Sequence, residues 1–271
     1  MVLRFAGHKS SPNGTAMLQT ITHKDDVVEL RLARPPVNAL NPGLVAALDE
    51  ALREHMKSNS GAIVISGQPG MFSAGLDVPA LLQLDREGMR SFWKSLFDLL
   101  ERIARSPVPV VSALTGHSPA GGTVIALFCD YRVAAQSAGD KAFRMGLNEV
   151  QVGLVVPPVI QRALARLIGP YAAERHLVAG DMIAMESAHS LGLVDELVPA
   201  AEVTDRAVAW SRSLLALPQH SMRATRRLCR ADLAALFDDR DGLDIDGFVD
   251  GWFAEDTQAT LKQLVARLAG G

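Results

Sequence analysis

The chain has 271 residues, 48% of them hydrophobic, so it can bury a large core as one main domain with a helical appendage. Its formal net charge of −3 comes from mixed signs without a basic stripe, which argues against a nucleic-acid partner and favours a small molecule. No apolar run reaches the roughly 20 residues that span a bilayer, so we expect no membrane partner.

The two cysteines and the N-terminal segment bear on the compartment. Cys129 and Cys229 lack the spacing of a zinc site or a disulfide framework, which predicts reduced thiols in a cytoplasmic protein. Residues 1–22 contain no acidic residue, as in mitochondrial transit peptides, which would place the protein in the mitochondrial matrix. Because the segment shows little amphipathic periodicity, we interpret it as a disordered tail.

The first predicted elements are a strand, a helix and a second strand. Residues 27–33 alternate as a strand does, and Pro35 and Pro36 end it because proline cannot donate to a sheet. Asn41-Pro42 is typical of the cap and first turn of a helix. The β-branched run at residues 62–65 predicts a strand buried on both faces.

The alternation then repeats before the chain becomes helical. Further elements are predicted as a helix at 90–105, a strand at 108–114, a helix after Gly121-Gly122, strands at 131–135 and 142–145, a helix from Pro157-Pro158, and helices from Val203 onward with breaks at Gly242 and Gly251. This order predicts an α/β core over residues 23–202 and a C-terminal helical region over residues 203–271.

Two junctions place small residues directly after a predicted strand: residues 71–77 and residues 116–122. Glycine lets the backbone approach a ligand closely, and the first N–H groups of a helix are free to bind an oxygen. The helix dipole would stabilise negative charge near Gly121. A single Gly-Gly pair is, however, more typical of an ordinary tight connection.

The second junction also raises a serine-hydrolase hypothesis. Residues 116–120 nearly match the G-x-S-x-G nucleophile elbow, with Ser118 as the nucleophile. The oxyanion hole of that elbow needs the N–H of the next residue, which here is Pro119 and has none. The fifth position is Ala120 instead of glycine, so this stays a minor alternative.

Glu149 is a lone carboxylate among apolar neighbours in the segment 146–153. A desolvated glutamate has a raised pKa and becomes a competent base near neutral pH. Without further context it would more often be a surface loop residue. The histidines show no metal-like spacing, and we expect no metal site.

Taken together, these segments resemble the enoyl-CoA hydratase/isomerase (crotonase) superfamily, and several are similar to its mitochondrial-type 3,2-trans-enoyl-CoA isomerases. The matching segments are Pro35-Pro36-Val37-Asn38, Phe72-Ser73-Ala74-Gly75-Leu76-Asp77, Pro119-Ala120-Gly121-Gly122, Cys129-Asp130-Tyr131-Arg132 and Gly146-Leu147-Asn148-Glu149. The resemblance implies a crotonase-like core of ββα repeats wound in a spiral. It also implies a homotrimer or dimer of trimers, in which the C-terminal helices serve trimerisation and cover the active site.

The resemblance further implies an acyl-CoA thioester whose carbonyl oxygen accepts hydrogen bonds from the N–H groups of Leu76 and Gly121. The residues it implies along the substrate are Asn38, Ala74, Gly75, Asp77 and Val78 for the CoA moiety and Asn148 for the acyl group. Asp77 has an alternative role as the cap of its own turn.

The resemblance also separates isomerase from hydratase. A hydratase of this family holds water with two glutamates, and here the first of those positions is Val124 and the second is Glu149. A single base still suffices to move a proton from C2 to C4 of a 3-enoyl-CoA, giving the trans-2-enoyl-CoA, as in fatty acid β-oxidation, without any cofactor. The alternatives are a hydratase or another acyl-CoA enzyme of the family, and a protein that binds acyl-CoA without turnover.

Overall fold

A computed structural model describes residues 17–58, 60–137 and 142–269. The strands are β1 (Leu18–Thr22), β2 (Val27–Leu32), β3 (Ala62–Ser66), β4 (Gly70–Met71), β5 (Val110–Leu114), β6 (Gly116–Pro119), β7 (Tyr131–Ala135), β8 (Arg144–Gly146), β9 (Ile183–Ala184) and β10 (Glu196–Val198). The helices are α1 (Pro42–Lys57), α2 (Val78–Leu81), α3 (Arg86–Ala104), α4 (Gly121–Leu127), α5 (Pro158–Ile168), α6 (Pro170–Ala179), α7 (Met185–Ser190), α8 (Val203–Leu215), α9 (Gln219–Cys229), α10 (Ala231–Ala235), α11 (Ile245–Phe253) and α12 (Glu255–Ala269).

The strands form two sheets that the chain visits in turn. The larger sheet has the order β1-β2-β3-β5-β7-β10, and the smaller has the order β4-β6-β8-β9. Each of β3, β5 and β7 is followed by a strand of the smaller sheet and then by helical structure. This repeat of two strands and a helix confirms the expected ββα spiral.

The larger sheet is covered on both faces, which explains why every residue of β3 is buried. Successive side chains of a strand point to opposite faces. Ile63 and Ile65 belong to the larger core, whereas Ala62 and Val64 pack into a smaller core that includes Val203 and Ala207 of α8. The predicted strand buried on both faces is therefore confirmed.

Three expectations from the sequence need correction. The predicted tail at residues 1–22 is too long, because Leu18–Thr22 form β1 and pair with β2; residues 1–16 lie outside the described residues. Gly251 does not break a helix but lies inside α11, while Gly242 does interrupt the helices within a short 3₁₀ helix. The proposed boundary at residue 203 divides the core, since α8 packs on the larger sheet.

The last two helices fold back over the same chain. Phe248 of α11 packs against Trp93 of α3, with ring centroids 5.6 Å apart. Thr257 of α12 donates from Oγ1 to the carbonyl oxygen of Gly153 at 3.0 Å. The C-terminal helix therefore lies against the segment that carries Glu149. Its role as a cover of the active site stays a prediction. No helix among the described residues is both long and apolar enough to cross a bilayer.

The cap of α1 provides a test of the sequence-derived helix start. Asn41 Oδ1 accepts a hydrogen bond from the N–H of Leu44 at 2.8 Å. We expect Asn41→Ala to lower the free energy of unfolding by about 1 kcal/mol, because that N–H loses its acceptor. Asn41→Asp keeps an acceptor and should stay within a few tenths of a kcal/mol of wild type. Urea unfolding checks both; equal stability of the alanine variant and wild type would contradict the role of the cap.

Candidate active site

The first junction is a turn held by the segment that precedes α1. Asn38 donates from Nδ2 to the carbonyl oxygen of Phe72 at 3.0 Å, and Ser73 Oγ donates to the carbonyl oxygen of Asn38 at 2.8 Å. Leu40 N–H donates to the carbonyl oxygen of Gly75 at 2.7 Å, and Asp77 N–H to that of Leu40 at 3.0 Å. These bonds fix the backbone on both sides of Leu76.

Two side chains predicted to line the CoA path have partners within the protein. Asn38 is fully buried, and its Oδ1 accepts from the N–H of Arg34 at 2.9 Å. Asp77 caps α2 by accepting from the N–H of Ala80 at 3.0 Å, and it pairs with Arg34 at 2.5 Å. The alternative role of Asp77 as a cap is therefore observed, and contact of either side chain with CoA stays a prediction.

The second junction meets the first through two glycines. A β-carbon on Gly75 would lie 3.1 Å from the backbone nitrogen of Gly121 and 2.8 Å from Cβ of Ala120. A β-carbon on Gly121 would lie 3.3 Å from Cα of Gly75. Side chains at these positions would push the two backbones apart. The structure thus brings residue 121 against the peptide that leads into Leu76.

The two amides at this contact are not used in the hydrogen bonds found among the described residues. Within residues 17–58, 60–137 and 142–269, neither the Leu76 N–H nor the Gly121 N–H donates to a protein acceptor. Gly121 is the first residue of α4, so its N–H has no acceptor within the helix. A buried N–H without a partner is costly, which favours an external oxygen here.

Strand pairing carries Glu149 to the same junction. Pro119 of β6 pairs with Gly146 of β8, and Ala120 N–H donates to the carbonyl oxygen of Gly146 at 2.7 Å. The N–H of Gly146 donates to Oγ1 of Thr123 in α4 at 2.8 Å. Glu149 follows three residues later, at the start of the 3₁₀ helix Glu149–Val152. The segment before Glu149 is therefore tied to the first turn of α4.

The carboxylate of Glu149 is poorly solvated. Its Oε2 atom is buried and has no hydrogen-bond partner among the described residues. Desolvation raises the pKa of Glu149 from 4.5 to about 7, and a backbone hydrogen bond opposes this rise only in part. No charged group contributes to the shift. A carboxyl group with this pKa exchanges protons readily near neutral pH.

Three side chains of α2, α4 and the segment that carries Glu149 are apolar and buried. Val124 of α4 and Leu147 are each 3% exposed, and Val78 at the start of α2 is 9% exposed. Asn148 is partly exposed, and no hydrogen bond of its side chain is found within the described residues. Val124 therefore presents a hydrocarbon side chain where a hydratase of the family would have its first glutamate.

The structure does not support Ser118 as a nucleophile. Ser118 lies within β6, not at a turn between a strand and a helix, and it is fully buried. Its Oγ has no hydrogen-bond partner among the described residues, so no base activates it. The adjacent His117 instead accepts from the N–H of Arg144 at 3.2 Å through Nδ1.

The two cysteines lie in different surroundings. Both cysteines are free thiols, Cys129 buried and Cys229 exposed. Within the part of the chain that the structure describes, no group of three His, Cys, Asp or Glu side chains converges as metal ligands do.

Two residues that position the site, Ser73 and Thr123, were not predicted from the sequence. Ser73 links the first junction to Asn38, and its Oγ also accepts from the N–H of Gly75 at 3.2 Å. Thr123 bridges α4 to β8 as described above. Each of these small polar side chains has one partner that is distant in sequence, Asn38 for Ser73 at 35 residues and Gly146 for Thr123 at 23 residues, so no local pattern marks the bridge.

Comparison with known proteins adds an independent observation. Residues 22–247 match the family described as Enoyl-CoA hydratase/isomerase. A human protein named Enoyl-CoA delta isomerase 1, mitochondrial, is 32% identical over 244 residues, covering 89% of this chain and 80% of that protein. A Mycobacterium avium protein named Probable enoyl-CoA hydratase echA17 is 32% identical over 201 residues, covering 73% of this chain and 75% of that one.

A solved structure agrees with these matches. The crystal structure of human mitochondrial delta3-delta2-enoyl-CoA isomerase is similar to this chain with a TM-score of 0.87 at 29% identity. The similarity covers 94% of this chain and 98% of the human one.

The raised pKa of Glu149 predicts a pH-dependent stability. The folded protein holds this proton more tightly than the unfolded chain does, so the free energy of unfolding falls as pH rises from 4.5 to about 7. Glu149→Gln cannot ionise and should therefore gain stability relative to wild type over this range, by at most about 3 kcal/mol.

Urea unfolding at about pH 5 and about pH 8 measures this difference. The control is Glu54→Gln, which changes an exposed glutamate of α1. A gain for Glu149→Gln that is the same at both pH values would show that the carboxyl group is not desolvated.

Proposed function

Because the chain belongs to the enoyl-CoA hydratase/isomerase (crotonase) family, we propose that it is a Δ3-Δ2-enoyl-CoA isomerase. It would convert 3-enoyl-CoA into trans-2-enoyl-CoA, with Glu149 as the only proton carrier. The observation that carries the proposal is the buried, unpartnered Oε2 of Glu149 in a segment tied to α4, together with valine at position 124.

The reaction is an internal transfer of one proton. The Glu149 carboxylate removes a proton from C2 of the substrate, and the electron pair delocalises into the thioester carbonyl to give an enolate. The resulting carboxylic acid returns the proton at C4 while the double bond moves to C2–C3. Atoms and oxidation level balance, so no redox cofactor or metal is required.

The two junction amides stabilise the enolate. The N–H groups of Leu76 and Gly121 meet a negative charge that is larger in the transition state than in the bound thioester, so they lower the barrier. The oxygen would sit at the N-terminus of α4, where the helix dipole is also favourable. Ala74, Gly75, Asn38, Asp77 and Val78 are proposed to line the CoA path, and Asn148 the acyl chain.

The second candidate function is an enoyl-CoA hydratase, because the relatives include proteins named as probable hydratases. Hydration needs a water molecule held against the double bond. The hydrocarbon side chain of Val124 offers that water no hydrogen bond, which favours the isomerase. Rapid hydration of crotonyl-CoA by the wild-type protein would reverse this preference.

The proposal extends to assembly and location. We propose a homotrimer, or a dimer of trimers, as the family resemblance implies, and its mass in solution is measurable by light scattering. We propose a cytoplasmic location. The relatives include both human mitochondrial and mycobacterial proteins.

Replacing the base should abolish the reaction selectively. With 3-hexenoyl-CoA, Glu149→Gln is expected to lower kcat by about 10²- to 10⁴-fold, whereas Glu54→Gln keeps the wild-type rate. Since the base acts as a carboxylate, wild-type kcat/KM should fall about tenfold per pH unit below a pKa near 7. Conjugation of the product is followed by absorbance. Equal rates for wild type and Glu149→Gln would remove Glu149 from the mechanism.

The contact between the glycines is tested by a matched pair of variants. Gly75→Ala places a methyl group 2.8 Å from Cβ of Ala120 at a φ of +86°. Gly70→Ala has nearly the same backbone strain, at a φ of +84°, but meets no atom within 4 Å. We expect Gly75→Ala to lower kcat by about 10²-fold or more through displacement of the Leu76 amide, and Gly70→Ala to lower it far less. Equal losses would assign the effect to strain alone.

A further inference from the structure

A cavity lies at the end of the larger sheet that is opposite to the junction amides. It has a volume of about 760 Å³ and separates the end of α3 from α9. Its lining includes five arginines, one histidine and no acidic residue; the arginines and the histidine are Arg105, His220, Arg223, Arg226, Arg227 and Arg230. We call it the arginine cavity.

The cavity is remote from the proposed isomerase site. Ser106 and Pro107, which line it, precede β5, whereas the junction residues 116–122 follow the other end of that strand. A strand of five residues spans about 16 Å, at roughly 3.3 Å per residue. A ligand in the arginine cavity would therefore not reach Glu149 directly.

Helix α9 lies at the surface, and its arginines line this cavity. None of its residues is buried. Arg223 and Arg227 are four residues apart and so lie on one face of the helix. Arg226 lines the same cavity, and Arg230 caps the helix end. The gap between α9 and α3 is thus bordered by guanidinium groups, with small apolar residues such as Ala104, Ala224 and Ala234 between them.

The positive charge around the cavity exceeds the negative charge that neutralises it. Arg226 pairs with Asp130 at 2.7 Å, and Arg230 shares the same carboxylate at 3.3 Å. Arg105 pairs with Glu101 and Asp238. Among the described residues, no carboxylate pairs with Arg223, Arg227 or His220, although Arg223 Nε donates to Gln219 at 3.3 Å.

The buried part of the cluster is Arg230. It is 7% exposed, and burial is the largest cause that lowers its pKa. Among the neighbouring charges, Asp130 has the largest effect and raises the pKa of Arg230, whereas Arg226 and Arg166 lower it. An additional negative charge in the cavity would relieve this repulsion between guanidinium groups.

We propose that the arginine cavity binds a ligand that carries a multiply charged phosphate or diphosphate group, at a site separate from the acyl-CoA substrate. Arginine offers planar, forked donors that match phosphate oxygens, and its charge does not titrate in the physiological range. The volume lies in the range of small-molecule sites, about 300–1,000 Å³. Small lining residues leave room for the rest of the ligand.

The test uses the full-length protein and inorganic pyrophosphate as the probe. Isothermal titration calorimetry at constant ionic strength should show one site per chain. The double variant Arg223→Gln/Arg227→Gln is expected to weaken binding at least about tenfold, because charge-assisted hydrogen bonds are lost. Both side chains lie on the surface of α9, so the fold should be preserved, which circular dichroism checks.

The matched control is the double variant Arg162→Gln/Arg267→Gln. Arg162 of α5 and Arg267 of α12 are both exposed and have no carboxylate partner among the described residues, so this control also removes two positive charges. It should bind pyrophosphate as wild type does. An equal loss in this control would mean that only the net charge of the protein matters, which would overturn the site.

Further measurements separate the possible ligands. Binding of ADP as well as pyrophosphate identifies a nucleotide-borne diphosphate, and binding of pyrophosphate alone identifies a free one; both support the site. Equally tight binding of succinate would overturn the preference for phosphate. The double variant should keep the wild-type KM for 3-hexenoyl-CoA. A raised KM would assign the cavity to the CoA of the substrate, and absence of any pyrophosphate binding would refute the proposal.

Discussion

The close contact between the backbones at Gly75 and Gly121 is the constraint on which the rest of the active site depends. Two segments far apart in sequence approach so closely that neither tolerates a β-carbon without displacement. The contact is supported from one side by the segment around Leu40 and from the other by Ala120, whose φ of 45° is unusual for alanine. Such a conformation persists only where its surroundings hold it. Here they hold Gly121, whose N–H has no acceptor among the described residues, against the backbone of Gly75.

Glu149 illustrates how a functional group opposes stability. An ionised carboxylate is unfavourable where one of its oxygens, here Oε2 of Glu149, is buried without a hydrogen-bond partner among the described residues. The fold tolerates it because β8 and α4 fix the preceding backbone through Gly146. α12 then packs against the same segment through Thr257. The local cost of desolvation is what makes the carboxylate basic enough for proton transfer near neutral pH.

Polar groups at the two ends of the larger sheet have different hydrogen-bond and charge partners. At the carboxyl ends of β3 and β5, the two glycine-containing junctions meet, and the segment that carries Glu149 is bonded to the second of them. At the other end, Asp130 joins the start of β5 to α9 by accepting from Val110 N–H at 2.8 Å and pairing with Arg226. That arrangement leaves a surplus of guanidinium groups beside α9. The same spiral thus offers a thioester site and, in our proposal, a phosphate site without overlap.

The sequence by itself determined the alternation of the longer strands and helices of the core, the two glycine-containing junctions and Glu149 as the candidate base, because caps, apolar periodicity and short motifs are local signals. Only the tertiary structure decided that the Asn38 side chain donates to the carbonyl oxygen of Phe72, that Ser118 is buried within a strand, and that β1 begins inside the predicted tail. Those features depend on parallel strand pairing and packing between distant segments, and nothing in a local window records which partner a buried polar group will find.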